Sequence, residues 1–304
     1  MTARAIGGDG AGRPRVNVTG EIPARVLDAV AAEFELADVP VDVDGILSLI
    51  PTRVDDAFLA RAGPRLRIVA NYGVGVDNID LQAARARGVV IANTPDVLTK
   101  ATAEHAIAIT LALLRRVAEG DRFIRRRADW RFSLEFMLGR SLDGLAVAIV
   151  GPGRIGREAA RLFEAHGATV TFVGRSEPLH DALRLADVVS LHVPATAETR
   201  HLIDAAALRA MKSSAVLVNT ARGTVVDEAA LVGALRARTI AGAALDVFEF
   251  EPDVDPGLLE LENVVLTPHL GSATRDTREA MGLLAVSALR SLLIDGVLPA
   301  NVVP

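Results

Sequence analysis

The chain has 304 residues, half of them hydrophobic, with 33 basic and 38 acidic side chains and a formal net charge of −5. A domain of ordinary size holds about 100–150 residues, so this length implies two. The charge balance excludes a general electrostatic pull toward nucleic acid or an anionic membrane, and the lack of cysteine excludes disulfides, thiolate nucleophiles and cysteine-ligated zinc.

Residues 1–13 are glycine-rich without the apolar run of a signal peptide and read as a flexible tail. From Arg15 short apolar runs alternate with helical patterns: Val16 to Val18, Ala24 to Phe34, Ile46 to Ile50, Phe58 to Ala62, Leu66 to Ala70, Leu81 to Arg87 and Val89 to Ile91. This pattern predicts a small β/α domain. Asn93-Thr94-Pro95 interrupts it and offers a hinge at Pro95, after which an Ala/Ile/Leu-rich helix is expected from about Thr99 to Ala118. Arg125, Arg126 and Arg127 beyond it read as a solvated loop face.

A second series opens at Leu145 to Val150. It continues through Thr169 to Val173, Val188 to Leu191, Ala215 to Asn219, Ala241 to Leu245 and Val264 to Leu266. Strands this rich in Val, Ile and Leu, with helices between them, predict an α/β fold with a doubly wound parallel sheet. A last helix from Thr274 to about Ile294 is expected to return to the first domain. The boundaries read as 14–97 plus 283–304 for one domain and 98–282 for the other. No stretch nears the roughly 18 apolar residues of a membrane helix, so a cytoplasmic protein is the default.

The strand Leu145 to Val150 runs directly into Gly151-Pro152-Gly153-Arg154-Ile155-Gly156 and a helical pattern. In that context the first glycine permits the turn, the second lets a pyrophosphate approach the backbone, and the third lets helix and strand pack closely. The expected cofactor is therefore a dinucleotide, bound at the helix N-terminus around Gly151, Gly153, Arg154, Ile155 and Gly156. After the next strand, where an acid would hold an NAD ribose, stands Gly174-Arg175-Ser176. Arg175 and Ser176 suit a 2'-phosphate, which favours NADP(H); a solvent-facing turn would leave NAD(H) possible, and Glu177 lies near enough to serve a ribose hydroxyl.

Three later strands each end in charge-capable residues, in Asn219-Thr220-Ala221-Arg222-Gly223, Asp246-Val247-Phe248-Glu249-Phe250-Glu251-Pro252 and Thr267-Pro268-His269-Leu270-Gly271. Parallel strand C-termini converge on the cofactor crevice. With the glycine turn, these motifs in this order resemble the D-isomer-specific 2-hydroxyacid dehydrogenases over nearly the whole chain after Leu66. Asn93-Thr94-Pro95-Asp96-Val97-Leu98-Thr99, followed by Ala103-Glu104, is similar to the glyoxylate/hydroxypyruvate reductases among them.

The resemblance implies a Rossmann-type cofactor domain, a smaller flavodoxin-like substrate domain, and a cleft that closes about a hinge. It implies Arg222, Glu251 and His269 as catalytic residues. Their chemistry suits keto-acid reduction. His269 can supply a proton near neutrality, a carboxylate at Glu251 favours the charged imidazole, and Arg222 can bind the substrate carboxylate and polarise the carbonyl. Glu249 ranks below Glu251, because the family's acid precedes the proline.

Cofactor contacts are implied at Thr102, Val193, Pro194, Thr199, Thr220, Ala221 and Gly271. Asp246 either meets the nicotinamide amide or holds its strand end. The loop Asn71 to Asp80 resembles the family's substrate-carboxylate loop, with the N–H groups of Val74 and Gly75 as donors. Trp130 and Phe136 fall in the segment that builds the dimer in those reductases, although core burial would explain them equally. His105, His192 and the other three histidines read as ordinary hydrogen-bonded residues.

The implied activity is NADPH-dependent reduction of a small 2-keto acid by a homodimer without metal, nucleic acid or membrane partner. The alternatives are an NAD-dependent dehydrogenase of another small substrate and a dinucleotide-sensing regulatory protein. With the chain ending at Pro304, no regulatory C-terminal domain of the long phosphoglycerate dehydrogenases is expected. Val74 stands where phosphite dehydrogenases carry lysine, and Glu251 where formate dehydrogenases carry glutamine. Pro152 departs from the usual cofactor loop, although a position between the glycines tolerates a fixed φ.

Overall fold

The computed structural model describes residues 12–127 and 129–303. The tail read at residues 1–13 lies outside the described residues up to Ala11; Arg13 donates a hydrogen bond to the Ala31 carbonyl. The chain divides into two compact units, one running up to Leu98 and resuming at Thr274, the other Thr99–Ala273.

The first unit contains β1 (Arg15–Val18), α1 (Ala24–Glu33), β2 (Glu35–Ala37), β3 (Gly45–Ser48), α2 (Asp56–Ala62), β4 (Ile68–Asn71), α3 (Leu81–Ala86) and β5 (Val90–Ala92). Its sheet has the order β2-β1-β3-β4-β5, all parallel, which is the flavodoxin-like arrangement. Every residue of β3 and β4 is buried, as a parallel strand covered on both faces requires. Asp55 and Asp80 cap α2 and α3 by accepting from Phe58 N–H and Ala83 N–H.

The second unit contains α4 (Thr99–Leu114), α5 (Val117–Arg125), β6 (Ala146–Val150), α6 (Arg154–Ala165), β7 (Thr169–Val173), α7 (Leu179–Leu185), β8 (Val188–Leu191), α8 (Ala205–Ala210), β9 (Val216–Asn219), a 3-10 turn (Gly223–Val225), α9 (Glu228–Arg236), β10 (Gly242–Leu245), α10 (Pro256–Leu259) and β11 (Val264–Leu266). Its parallel sheet runs β11-β10-β9-β8-β6-β7, a doubly wound, Rossmann-type order that reverses at β6. The long helix expected from Thr99 to Ala118 ends at Leu114; Arg116 takes a left-handed φ of 56° and a separate α5 begins. Ala159, Ala160 and Phe163 bury the inner face of α6.

The last helix, α11 (Arg275–Leu293), packs on α1, β3 and β4, and Thr274 caps it by accepting from Thr277 N–H. A domain break at residue 283 would fall inside this helix; the break lies at its cap, Thr274. Among the described residues no helix is long and apolar enough to cross a membrane.

Candidate active site

The glycine turn between β6 and α6 has two crowded positions and one open one. Gly151 has a φ of +96°, and a Cβ there would lie 2.7 Å from the His192 carbonyl oxygen and 2.8 Å from Val193 Cγ1. A Cβ on Gly156 would sit 2.2 Å from the Gly151 carbonyl oxygen. Gly153, by contrast, would meet nothing within 4 Å. It is the N-cap of the 12-residue α6, whose first turn receives no side-chain cap. Open space before the N-terminus of a helix fits a diphosphate. Thr220 Oγ1, buried at the end of β9, has no hydrogen-bond partner and is a further polar atom suited to a ligand.

Beyond β7, Arg175 and Ser176 are exposed. Glu177 turns back and accepts from Gly174 N–H at 2.7 Å, so one of its oxygens is occupied within the turn. In the loop after β8 the Thr199 hydroxyl donates to the Pro194 carbonyl at 2.6 Å and accepts from Thr196 N–H at 2.8 Å, which makes it a brace of that loop.

The ends of β9, β10 and β11 carry the turns of Arg222, Glu251 and His269. His269 Nδ1 lies 2.8 Å from Glu251 Oε2. A carboxylate only accepts, so Nδ1 carries the proton in this pair and Nε2 is left for a reacting group. The other Glu251 oxygen accepts from Phe248 N–H at 2.9 Å, which fixes the carboxylate to its own loop. Asn219 shapes the Arg222 turn by donating to the Arg222 carbonyl at 2.9 Å and accepting from Ala221 N–H at 3.0 Å. Arg222 Nη1 donates to the Ala221 carbonyl at 2.8 Å. Next to it, a Cβ on Gly223 would fall 1.9 Å from the Phe248 carbonyl carbon, so the turn bearing Arg222 abuts the loop bearing Glu251.

In the first unit the loop after β4 presents its own arrangement. Asn71 Nδ2 donates to the Gly75 carbonyl at 2.7 Å, Asn93 Nδ2 to the Val74 carbonyl at 2.8 Å, and Thr94 N–H to the Gly73 carbonyl at 3.0 Å. A Cβ on Gly73 would lie 3.1 Å from Ile50 Cδ1, so a larger residue there would require that side chain to shift.

Residues 107–271 match the family described as D-isomer specific 2-hydroxyacid dehydrogenase, NAD binding domain. The chain is 41% identical over 309 aligned positions to a glyoxylate reductase of Pyrococcus furiosus, covering 91% of each chain. It is 42% identical over 321 positions to one of Korarchaeum cryptofilum, covering 96% of each. Among solved structures it is similar to an NADPH-dependent glyoxylate/hydroxypyruvate reductase of Sinorhizobium meliloti in complex with NADP and malonate. That structure is 37% identical with a TM-score of 0.86, over 96% of this chain and 97% of the other. The chain belongs to the D-isomer-specific 2-hydroxyacid dehydrogenase family. It is an NAD(P)-dependent oxidoreductase acting on the CH–OH group of 2-hydroxy acids.

In this dehydrogenase the turn bearing His269 rests on Asp246, which the motif had already marked, and on His105, which it had not. Asp246, 1% exposed, accepts through Oδ1 from Thr267 Oγ1 at 2.6 Å and Leu270 N–H at 2.7 Å, and through Oδ2 from Gly271 N–H at 2.7 Å. His105 Nε2, from α4, lies 3.1 Å from the same Oδ1. Burial raises the Asp246 pKa, but hydrogen bonds from His105, Thr267 and Leu270 outweigh it and hold the carboxyl below its ordinary range. The carboxylate thus grips the turn on which His269 sits, in a left-handed conformation with φ 54°. Thr102 packs against this turn, since a Cβ on Gly271 would lie 3.3 Å from Thr102 Cγ2.

Glu228, 5% exposed in the first turn of α9, accepts from Glu249 N–H at 3.0 Å and from Asp255 N–H at 3.2 Å. It brackets the segment that carries Glu251. Glu249 itself is engaged elsewhere, 3.0 Å from Arg200 Nη2 and 2.7 Å from His201 Nε2. No residue type at position 105 or 228 advertises these roles, because the partners are backbone groups and a carboxylate brought close only by folding.

Among the described residues no group of three or more His, Cys, Asp or Glu could hold a metal. A separate cavity of about 310 Å³ lies at the N-terminal ends of β9, β10 and β11, lined by Arg116, Arg140 and Arg238 among others. It is at the opposite strand ends from the acid–base pair, and ligands of open α/β sheets bind at the carboxyl ends.

Proposed function

We propose that this dehydrogenase reduces small 2-keto acids, glyoxylate and hydroxypyruvate, with a preference for NADPH. The observation that carries the reading is the 2.8 Å contact between His269 and Glu251, on a loop that abuts the turn of Arg222. In this proposal Arg222 takes the keto-acid carboxylate and polarises the carbonyl through its planar fork of donors. His269 Nε2 gives its proton to the carbonyl oxygen as negative charge develops there, and Glu251 stabilises the imidazolium before that transfer. The bound nicotinamide supplies the hydride to C2. In the same proposal the N–H groups of Val74 and Gly75 are carboxylate donors.

The NADPH preference rests on two features of the turn after β7. Arg175 and Ser176 are exposed where a 2'-phosphate would need donors, and Glu177 is folded onto Gly174 N–H. The NADP in the Sinorhizobium meliloti relative supports it. The active form in this proposal is a homodimer joined through the segment of Trp130 and Phe136, whose rings stack at 6.1 Å while Trp130 stays 53% exposed.

A panel crossing NADPH and NADH against glyoxylate, hydroxypyruvate, pyruvate and a bulky aromatic keto acid tests the proposal. Highest kcat/KM with NADPH and the two small, unbranched acids is expected. A preference for NADH overturns the cofactor assignment, and preference for the aromatic acid overturns the substrate assignment. Cofactor-dependent partner binding without any turnover would favour a regulatory role instead.

A further inference from the structure

The loop after β4 has its carbonyl oxygens tied down one after another. Gly73, Val74 and Gly75 each accept a hydrogen bond, from Thr94 N–H, Asn93 Nδ2 and Asn71 Nδ2. In a trans peptide the carbonyl of one residue and the N–H of the next point in opposite directions. Anchoring each carbonyl therefore sets the N–H of the following residue, Val74, Gly75 and Val76 in turn, away from that carbonyl's anchor. Consecutive backbone N–H groups held in this way can serve an anion.

Asn93, which holds the middle carbonyl, is itself held by the C-terminal segment. Asn93 N–H donates to the Asn301 carbonyl at 3.1 Å, and Asn301 Nδ2 donates back to the Asn93 carbonyl. Val303 N–H donates to the Ile91 carbonyl at 2.8 Å, and Ala92 pairs antiparallel with Val302, so the segment is stitched along the end of β5. Asn71 is fully buried, and its Oδ1 accepts from Asn78 Nδ2 at 3.3 Å. All three amides face backbone carbonyls, so each must present its NH₂ group, and aspartate cannot replace asparagine at these positions.

We infer that Asn71, Asn93 and Asn301 form a positioning clamp that sets the direction of the Val74–Val76 N–H groups, and that Asn301 controls keto-acid affinity from two hydrogen bonds away. The inference rests on the proposed role of this loop in binding the substrate carboxylate. None of the three asparagines is assigned to the hydride or proton step.

The test is steady-state kinetics on the full chain with glyoxylate and NADPH, using Asn93→Ala, Asn301→Ala and the double variant, with oxamate as an unreactive competitor. Each hydrogen bond removed should raise the glyoxylate KM and the oxamate inhibition constant by about 10-fold, while kcat stays within about twofold and the NADPH dissociation constant is unchanged. Because Asn301 acts through Asn93, the double variant should resemble Asn93→Ala alone and not the product of the two effects. Unchanged KM in folded Asn93→Ala, additive effects, or parallel losses in kcat and NADPH binding would each overturn the clamp. If an alanine variant fails to fold, Asn93→Ser and Asn301→Ser give the same comparison with a smaller packing defect. A wild-type enzyme that turns over no keto acid defeats the functional proposal itself, an outcome distinct from a wild type that works and variants that match it.

Discussion

Glu251 and His269 face each other across a gap of 2.8 Å, with the two side chains 34% and 29% exposed. At that exposure neither contributes much to stability, so their removal separates chemistry from folding. His269→Ala should lose at least about 100-fold in kcat, the size of a general acid's contribution, with a thermal midpoint close to that of the wild type. Arg222→Ala should lose a similar factor in kcat/KM. Near-normal turnover in folded His269→Ala would remove the histidine from the proton step.

His192 sets a different pH response. Burial lowers its pKa from 6.5 to about 4, so the folded state holds a neutral ring where the unfolded chain binds a proton. The stability this confers is full above pH 6.5, and is lost progressively as pH falls toward 4. His192→Gln should therefore flatten the loss of unfolding free energy between those limits, measured by urea titrations at several pH values. A variant whose pH dependence parallels the wild type would show that other groups govern acid stability. The His192 ring meets Ser190 Oγ at 2.9 Å, while only its backbone carbonyl approaches Gly151.

At the scale of elements, the site depends on loops that approach closer than ordinary side chains allow. A Cβ on Gly223 would meet the Phe248 carbonyl carbon at 1.9 Å, a backbone atom with no freedom to swing aside. Gly223→Ala is expected to cost about 1–3 kcal/mol and to lower kcat by displacing Glu251. Denaturation and kinetics on the same preparation check both effects, and a stable, fully active variant would refute the close approach. Glu228→Ala strands the N–H groups of Glu249 and Asp255, and about 1–3 kcal/mol of stability should go with it.

Two inner strands of the second unit were legible in sequence because every position is buried: Val216–Asn219 and Val188–Leu191 are apolar but for Asn219 and Ser190. The edge strand Glu35–Ala37 was not, since two of its three residues are exposed and only pairing with β1 defines it. The break at Arg116 was hidden for a similar reason. The helical pattern continues through it, and the left-handed residue is an arginine with no signature of a turn. The motif residues at the strand ends stood out by type and spacing, whereas Asn301 and Glu228 gain their meaning only from carbonyl and amide groups far off in the chain.

At the scale of the whole molecule, the segment after α5 displays apolar side chains that a solitary protein would bury. Phe132 and Leu134 are 82% and 83% exposed, and Trp130 and Leu138 are more than half exposed. The proposed homodimer would bury these side chains. Helix α5 before it is braced, with Arg122 and Arg126 both paired to Glu262, so the patch is carried on a fixed support. A second copy of the chain, related by a twofold axis, would cover the patch with its own equivalent. Phe132→Asp with Leu134→Asp should then halve the mass seen by sedimentation equilibrium while far-ultraviolet circular dichroism stays unchanged, because side chains so exposed contribute little to the protomer's core. A wild type that sediments as a monomer at micromolar concentration would contradict the dimer, and so would a doubly charged variant that keeps the wild-type mass.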